Sequence, residues 1–405
     1  MQETLPQQFQ EQLPEKAENH PEYVTELVNV ILNQAQAINA SDIHLLPTEN
    51  RMRMDWRIDG VLHRIADFSQ ELAPRITARL KVMSQLLTYR TDVPQEGRIH
   101  RDGEQAVETR IGTFPTLYGE KVVVRLFVGS GQYKHLENLN LPEEILSQLQ
   151  ALLRQTGGVV LMTGPAGSGK TTTIYACLRE IIRESKGARS LASLEDPIEV
   201  VVPTVAQSQV NPAAGFDMAL GLRSLLRQDP EVIMVGEIRD RETAETVFQA
   251  SLSGHLVITT FHAGSATEAV SRLSDMGIEP YLLRSGLLAI LSQRLLRRLC
   301  SCAQPSQSAE DRLGLPVEQW KIPVGCSDCG QTGYQGRIVL TEMLQPDLGA
   351  VGQAILQQAD ATELHRLAVE AGMRTQWDRA LRAVNEGQTS PAEVRRVLGM
   401  TRSGN

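Results

Sequence analysis

Gly164-Pro165-Ala166-Gly167-Ser168-Gly169-Lys170-Thr171, followed by Thr172, fits the pattern G-x-x-x-x-G-K-[ST], which works only as a loop between a strand and a helix. Both flanks meet that demand. Gly158-Val159-Val160-Leu161-Met162 is an apolar run of buried-strand length, and from Thr171 to Ile182 the residues Ile174, Cys177, Leu178 and Ile181 recur at helical spacing. In such a loop the backbone N–H groups aim at phosphates, Lys170 adds a point charge to the β/γ oxygens, and the Thr171 hydroxyl completes a Mg²⁺ shell. The chain is therefore expected to fold around a strand–loop–helix unit that grips a nucleoside triphosphate.

The rest of the composition is that of an ordinary globular chain: 405 residues, formal net charge -8, 41% hydrophobic and 4% aromatic residues, enough for two or three domains. An acidic chain with few aromatics argues against a dedicated nucleic-acid binder. Residues 1–20 are rich in Gln, Glu and Pro, with neither a basic nor an apolar region, and are expected to be a mobile leader rather than a signal peptide. The apolar run Leu282 to Leu296 is broken by Arg284 and Arg294, far short of the ~20 clean residues a membrane span needs. A cytoplasmic protein, attached to a membrane only through partners, is the expectation. Five cysteines in such a chain point to thiols or metal rather than disulfides.

Periodicity divides the chain further. Glu22 to Ala40 predicts an amphipathic helix, with Val24, Leu27, Val28, Ile31 and Leu32 on one side. Arg51 to Ile58 alternates, Met52, Met54, Trp56 and Ile58 facing one way and Arg51, Arg53, Asp55 and Arg57 the other. Asp59-Gly60 then supplies a hairpin turn. A second hairpin is signalled from Arg98 to Arg110 around Asp102-Gly103, and Val122 to Phe127 reads as another strand. From Leu139 to about Leu299 strands alternate with helices, the sign of a mostly parallel sheet wrapped by helices. The expected layout is an N-terminal α+β domain over 21–130, an α/β nucleotide-binding core over 131–299, a cysteine segment over 300–345 and a helical region over 346–405.

Gripping is not hydrolysis, which needs carboxylates to hold the metal and orient a water. Two candidates follow strands: Glu195 in Glu195-Asp196-Pro197-Ile198-Glu199, and Glu237 in Gly236-Glu237-Ile238-Arg239-Asp240 after Val232-Ile233-Met234-Val235. His255 and His262 bracket a short strand and are read as polar sensors reaching the terminal phosphate from the sheet edge. Cys177 reads as a core thiol.

The ordered set of the loop at Gly164, Leu194-Glu195-Asp196-Pro197-Ile198-Glu199, Leu222-Arg223-Ser224-Leu225-Leu226-Arg227-Gln228-Asp229-Pro230, Gly236-Glu237-Ile238-Arg239-Asp240 and Gly254-His255-Leu256-Val257 resembles the secretion ATPase superfamily, most of all its type II secretion and type IV pilus assembly branch. These are its Walker A, Asp box, Walker B and His box motifs, in order. The resemblance also takes in Ala40-Ser41-Asp42-Ile43-His44, Arg57-Ile58-Asp59-Gly60 and Gln95-Glu96-Gly97-Arg98. It implies an α/β, RecA-like P-loop NTPase domain behind a smaller, PAS-like N-terminal sensor domain, with a cysteine-bearing and helical C-terminal extension. It further implies a homohexamer that hydrolyses ATP with Mg²⁺ to assemble pilin or pseudopilin fibres, docked on an inner-membrane platform protein, with no nucleic acid. Arg98 and Arg110, and with them Arg125, would reach the phosphates from the sensor domain, where Arg brings two-pronged positive charge. Glu195 and Glu237 would share the base and metal-holding roles, undivided between them.

Three departures from the family pattern stand out. The usual Thr-Leu-His-Thr-Asn is Thr260-Phe261-His262-Ala263-Gly264 here, keeping the histidine and losing its polar neighbours. The extra N-terminal docking domain of larger members is not expected ahead of 21–130. Where many members carry two C-x-x-C pairs, this chain has Cys300-Ser301-Cys302 and Cys326-Ser327-Asp328-Cys329, the first pair one residue short. Four such thiolates would close a structural Zn²⁺ site. Two rival readings stay open from sequence: a RecA-like nucleic-acid translocase, kept alive by the basic face of Arg51, Arg53 and Arg57, and a nucleotide-gated scaffold with little turnover, motivated by Ala263-Gly264.

Overall fold

The computed structural model describes residues 4–99, 109–126, 133–346 and 349–399. The chain is mixed α/β and divides into two compact units that are not consecutive blocks of sequence. One gathers Met1–Ser130 with Leu299–Gln304 and Pro323–Gly336; the other gathers Gly131–Arg298, Pro305–Ile322 and Arg337–Asn405. Both cysteine pairs therefore belong with the N-terminal residues, and the intervening Pro305–Ile322 with the larger unit, instead of forming one segment over 300–345.

The first unit is an antiparallel sheet of β1 (Asp42–Pro47), β2 (Arg51–Ile58), β3 (Val61–Ser69), β4 (Gln95–Ile99), β5 (Thr109–Thr116) and β6 (Gly119–Leu126), ordered β3-β2-β1-β6-β5-β4. The turn expected at Asp102-Gly103 lies outside the described residues, but β4 and β5 pair antiparallel as that hairpin requires. The helix Tyr23–Ala37 buries Tyr23, Val24, Leu27, Val28, Ile31, Leu32 and Ala35, a stripe at helical spacing laid on the sheet. In β2 the alternation holds for Met52, Met54 and Trp56, all buried, while a register shift after Met54 leaves Asp55 buried as well. The arginines of the outer face are each paired: Arg51 with Asp67 at 3.1 Å, Arg53 with Asp55 at 2.8 Å and Arg57 with Asp42 at 3.3 Å. What sequence reads as a basic face is a row of neutralised charges.

The leader expected over 1–20 is not featureless either. Leu5–Gln10 is helical and its Phe9 is buried, with its ring edge-on to Trp56 at 5.6 Å and to Phe68 at 6.4 Å. Phe9, with Leu5 and Leu13 packed against the same core, docks this otherwise polar stretch by burial of apolar surface.

In the second unit a seven-stranded sheet runs Tyr334–Leu344, β12 (Leu287–Leu299), β7 (Gly158–Thr163), β11 (Leu256–Phe261), β10 (Val232–Val235), β8 (Leu191–Glu195) and β9 (Ala206–Gln209). From β12 to β9 every pairing is parallel. β7, β8, β10 and β11 are buried throughout, as strands with helices on both faces must be. The C-terminal helices join this unit: Val351, Ala354, Ile355, Leu364 and Ala368 share one core with Val159, Leu161 and Val257. Among the described residues no helix is long and apolar enough to cross a membrane, and the run containing Arg284 and Arg294 is the helix Pro280–Gly286 followed by β12.

Replacing Phe9 with Ala is expected to lower the stability of the first unit by about 3 kcal/mol, as for other buried aromatic truncations. Urea unfolding of the full chain is the measurement; a change within about 0.5 kcal/mol, the scale of exposed positions, would return residues 5–10 to a mobile leader.

Candidate functional site

Parallel register decides which residues meet. Thr163 lies opposite Phe261 on one side and Ser292 on the other, and Val235 lies between Leu194 and Thr259. The segments after β7, β8, β10, β11 and those residues of β12 thus open at one edge, the carboxyl edge where parallel sheets hold their ligands. The loop at Gly164, Asp196–Glu199, Gly236–Asp240, His262–Gly264 and Gln293-Arg294 are all brought there.

The loop is shaped by a near collision. Gly164 has φ 140°, and a Cβ there would sit 2.4 Å from the Gln293 carbonyl oxygen and 2.7 Å from Ser168 Oγ, so only glycine fits. Gly167 and Gly169 are also left-handed, at φ 74° and 93°, turning the backbone into the helix Lys170–Glu184. Pro165, Ala166 and Gly167 are exposed at the rim, and Thr171 and Thr172 are exposed at the helix start. Lys170 is buried, with Nζ donating to the Gly164 carbonyl at 2.7 Å and the Pro165 carbonyl at 3.0 Å. Burial, with the charge of Arg294, brings its ammonium down to about 8. Ser168 Oγ is buried with no hydrogen-bond partner among the described residues. An ammonium with no carboxylate partner among the described residues and an orphaned buried hydroxyl at a helix N-terminus are donors suited to phosphate oxygens, and Thr171, exposed at the helix start, offers a hydroxyl that would suit a metal ion there.

The two glutamates are held differently. Glu195 is buried, and both its oxygens are taken: the Tyr175 hydroxyl donates to Oε2, while Ser193 Oγ and Gln207 Nε2 donate to Oε1 at 2.7 Å and 2.9 Å. Tyr175 also accepts from the backbone N–H of Glu199 at 3.1 Å and Val200 at 3.3 Å, so the carboxylate anchors the turn that follows it. Burial, then the bond to Glu195, pushes the phenol well above its ordinary range. Glu237 is half-buried and faces the site, paired with Arg239 Nε and 3.3 Å from His262 Nε2. Arg239 reaches on to Asp196 at 3.1 Å, tying the two motifs together. Asp240 is occupied as a helix cap, accepting from Thr243 N at 2.8 Å.

The histidines separate. His262 follows the carboxyl end of β11 beside Glu237; burial, then the charge of Lys170, keeps its imidazole below its ordinary value and neutral at pH 7. His255 precedes the amino end of the same strand, about 20 Å from the loop at strand rise, where Nδ1 pairs with the Ala250 carbonyl at 3.0 Å and Ser253 Oγ at 3.2 Å. Bracketing a strand put the two at opposite edges of the sheet, so within one chain His255 does not meet the phosphate loop. Cys177 is fully buried in the core, where desolvation pushes its thiol up.

Sequence reasoning missed a cavity beside the loop, lined by Tyr133, Leu139, Asn140, Thr172, Leu295 and Arg337 among others, which offers a flat base apolar walls and polar edges. It also missed Tyr175 and Gln207, whose partners stand 20 and 12 residues away and leave no local pattern.

Arg98, Arg110 and Arg125 lie on β4, β5 and β6, each directly opposite the next, and Arg125 in turn opposes Asp42, which opposes Arg57. Directly opposed residues share a face. Asp42 binds Arg125 at 3.1 Å and Arg57 at 3.3 Å.

The sulfurs of Cys300, Cys302, Cys326 and Cys329 all lie within 4.8 Å of one another. Cys300–Cys326, Cys326–Cys329 and Cys302–Cys329 are 3.7, 3.8 and 4.0 Å apart, near the ~3.8 Å that tetrahedral thiolates about 2.3 Å from zinc would show. The short C-x-C pair thus converges as well as the longer one. Burial pushes Cys329 up, but the N–H groups of Cys326 and Gly333, each 3.2 Å from Sγ, outweigh it and bring the thiol down to about 7.

The family described as "Type II/IV secretion system protein" matches residues 17–396. The type II secretion system ATPase E of Vibrio cholerae is 40% identical over 405 residues, covering 98% of this chain and 78% of its own. The putative type II secretion system protein E of Escherichia coli is 42% identical over 93% of this chain and 77% of its own. The type IV pilus assembly ATPase TfpB of Acinetobacter baylyi is 38% identical, covering 98% and 69%. Among solved structures, the Legionella pneumophila ATPase DotB superposes with a TM-score of 0.68 over 95% of this chain and 97% of its own at 21% identity, a likeness of fold.

Tyr175→Phe strips Glu195 of a donor and removes the hydroxyl that accepts from the Glu199 and Val200 amides. Thermal unfolding of the second unit is expected to register a loss of about 1–3 kcal/mol, the cost of unmet buried polar groups; unchanged stability would mean that Glu195 is not anchored through Tyr175.

Proposed function

The chain belongs to the type II/IV secretion system protein family and is an ATP-hydrolysing motor ATPase of type II secretion or type IV pilus assembly, from which we propose how its residues divide the work. The second unit is the RecA-like P-loop NTPase domain and the first the PAS-like sensor domain. Gly164 to Thr172 cradle the phosphates of ATP, Lys170 carries charge to them, and Thr171 holds Mg²⁺, which supplies Lewis acidity there. Glu237 orients and deprotonates the attacking water with His262 beside it. That water's oxygen bonds to the γ-phosphorus as the β,γ-bridging bond breaks and ADP leaves. Glu195 acts through Tyr175 as a positioning residue for Asp196–Glu199. The observation that carries this reading is the convergence of Lys170, Glu237 and His262 at one carboxyl edge.

Arg98, Arg110 and Arg125 form the sensor domain's contribution. Their alignment on one face of three neighbouring strands supports their serving together on an anion such as the γ-phosphate. Closure of that row over a nucleotide, repeated around a homohexamer, turns hydrolysis into domain rotation. The chain works in the cytoplasm, peripheral to the inner membrane through a platform protein, and assembles pilin or pseudopilin fibres. The paired arginines of β2 weigh against nucleic acid as the load. Cys300, Cys302, Cys326 and Cys329 hold a structural Zn²⁺ that ties their two segments together.

Lys170→Ala is expected to abolish nucleotide binding, and Glu237→Gln to bind ATP normally while turnover falls by roughly 10²–10⁴, the range for a general base. Phosphate release and nucleotide titration read both, and wild-type turnover in either variant rejects the assignment. For the metal, about one zinc per chain should be released on titration with a thiol reagent, with Cys302→Ser purifying zinc-poor; a metal-free wild type with full stability would leave the cluster as plain thiols.

A further inference from the structure

β12 runs past the phosphate loop in parallel with β7, so that after Ser292, opposite Thr163, the next two side chains flank the loop on opposite faces of the sheet. Gln293 turns to the helix, its Nε2 donating to Thr173 Oγ1 at 2.9 Å. Arg294 turns to the segment after β11, where Nη2 donates to the Gly264 carbonyl at 3.2 Å. It lies close enough to Lys170 for its charge to act on that ammonium. Its Nε is shut off from solvent with no acceptor among the described residues, and the carbonyl its Nη2 meets is neutral. The nearby carboxylate, Glu268, is turned to the Gly264 N–H at 2.7 Å. Two cations thus lie near one another at the edge where a triphosphate ends, and among the described residues neither forms a salt bridge with a carboxylate.

Gly264 makes the room. A Cβ there would lie 2.6 Å from Glu268 Oε2 and 3.8 Å from Arg294 Nη2, so a longer side chain would compete for the space the guanidinium and Glu268 occupy. This is one of the two positions, Ala263 and Gly264, where the chain lacks the polar residues its resemblance leads one to expect.

We propose that Arg294 is a charge-stabilising residue supplied within the same chain, contacting the terminal phosphate of bound ATP in place of the polar side chains absent at Ala263 and Gly264. It rests on the reading of this edge as the ATP site. As the bridging bond breaks, charge gathers on the γ-phosphoryl and bridging oxygens, and a preorganised guanidinium stabilises it without reorganising. A contact made to the third phosphate separates triphosphate from diphosphate, whereas a merely structural arginine treats them alike.

The test uses the full chain with R294Q, R294M, which keeps an apolar stem, and G264N, which leaves the arginine in place but crowds it. Competition against a fluorescent nucleotide gives affinities for a non-hydrolysable ATP analogue and for ADP, and phosphate release gives kcat. In R294Q and R294M the analogue should bind about 10-fold or more weaker while ADP changes less than about threefold, and kcat should fall by roughly 10²–10³, the loss typical of a removed transition-state donor. G264N should shift the analogue-to-ADP ratio in the same direction. A wild-type ratio with kcat within about threefold, in whichever of these variants folds by circular dichroism, overturns the role of Arg294. Wild-type protein that binds no ATP analogue at all would instead overturn the reading of the site itself.

Discussion

The passage of the Gly164 backbone against the Gln293 carbonyl holds the carboxyl edge of the second unit's sheet together. At 2.4 Å from where a Cβ would sit, β12 leaves no room for any side chain, and that closeness turns the loop outward at the sheet's carboxyl edge. With the loop fixed there, Lys170 is buried under its own carbonyls, Ser168 is enclosed, and the helix Lys170–Glu184 starts with its amides facing the same opening. The parallel register then delivers Glu237, His262 and Arg294 to that edge without any of them being near Lys170 in sequence.

Much of this was legible because it rests on local pattern. The strand before Gly164, the helix after it and the alternation of Met52, Met54 and Trp56 are periodicities, and periodicity survives without tertiary context. What was not legible depended on which end of an element faces what. His255 and His262 look equivalent when read along the chain, yet a strand that runs parallel to the phosphate-loop strand can bring only its carboxyl end to that loop. Arg294 was visible only as a break in an apolar run. The pairing of Arg51 and Arg57 with acids was hidden because Asp67 and Asp42 come from neighbouring strands, whereas the partner of Arg53, Asp55, stands two residues along the same strand.

The two carboxylates show how environment divides residues that sequence leaves equal. Glu195 ends one strand and Glu237 lies two residues past the end of its neighbour, but Glu195 has its oxygens filled by Tyr175, Ser193 and Gln207, whereas Glu237 is half-buried between Arg239 and the imidazole of His262. A carboxylate saturated with donors is a poor proton acceptor and a good strut. The arginine row makes a related point: Asp42, placed between Arg57 and Arg125 by the register of three strands, binds both.

The cysteine cluster has a topological side. Its sulfurs come from Leu299–Gln304 and Pro323–Gly336, while Pro305–Ile322 between them is counted with the other unit. The chain therefore leaves one unit, contributes Pro305–Ile322 to the other and comes back, and the four thiols gather where it leaves and returns. A metal held by all four would cross-link the outgoing and returning segments at that point and close the excursion into a covalently bounded loop, smaller than the whole chain.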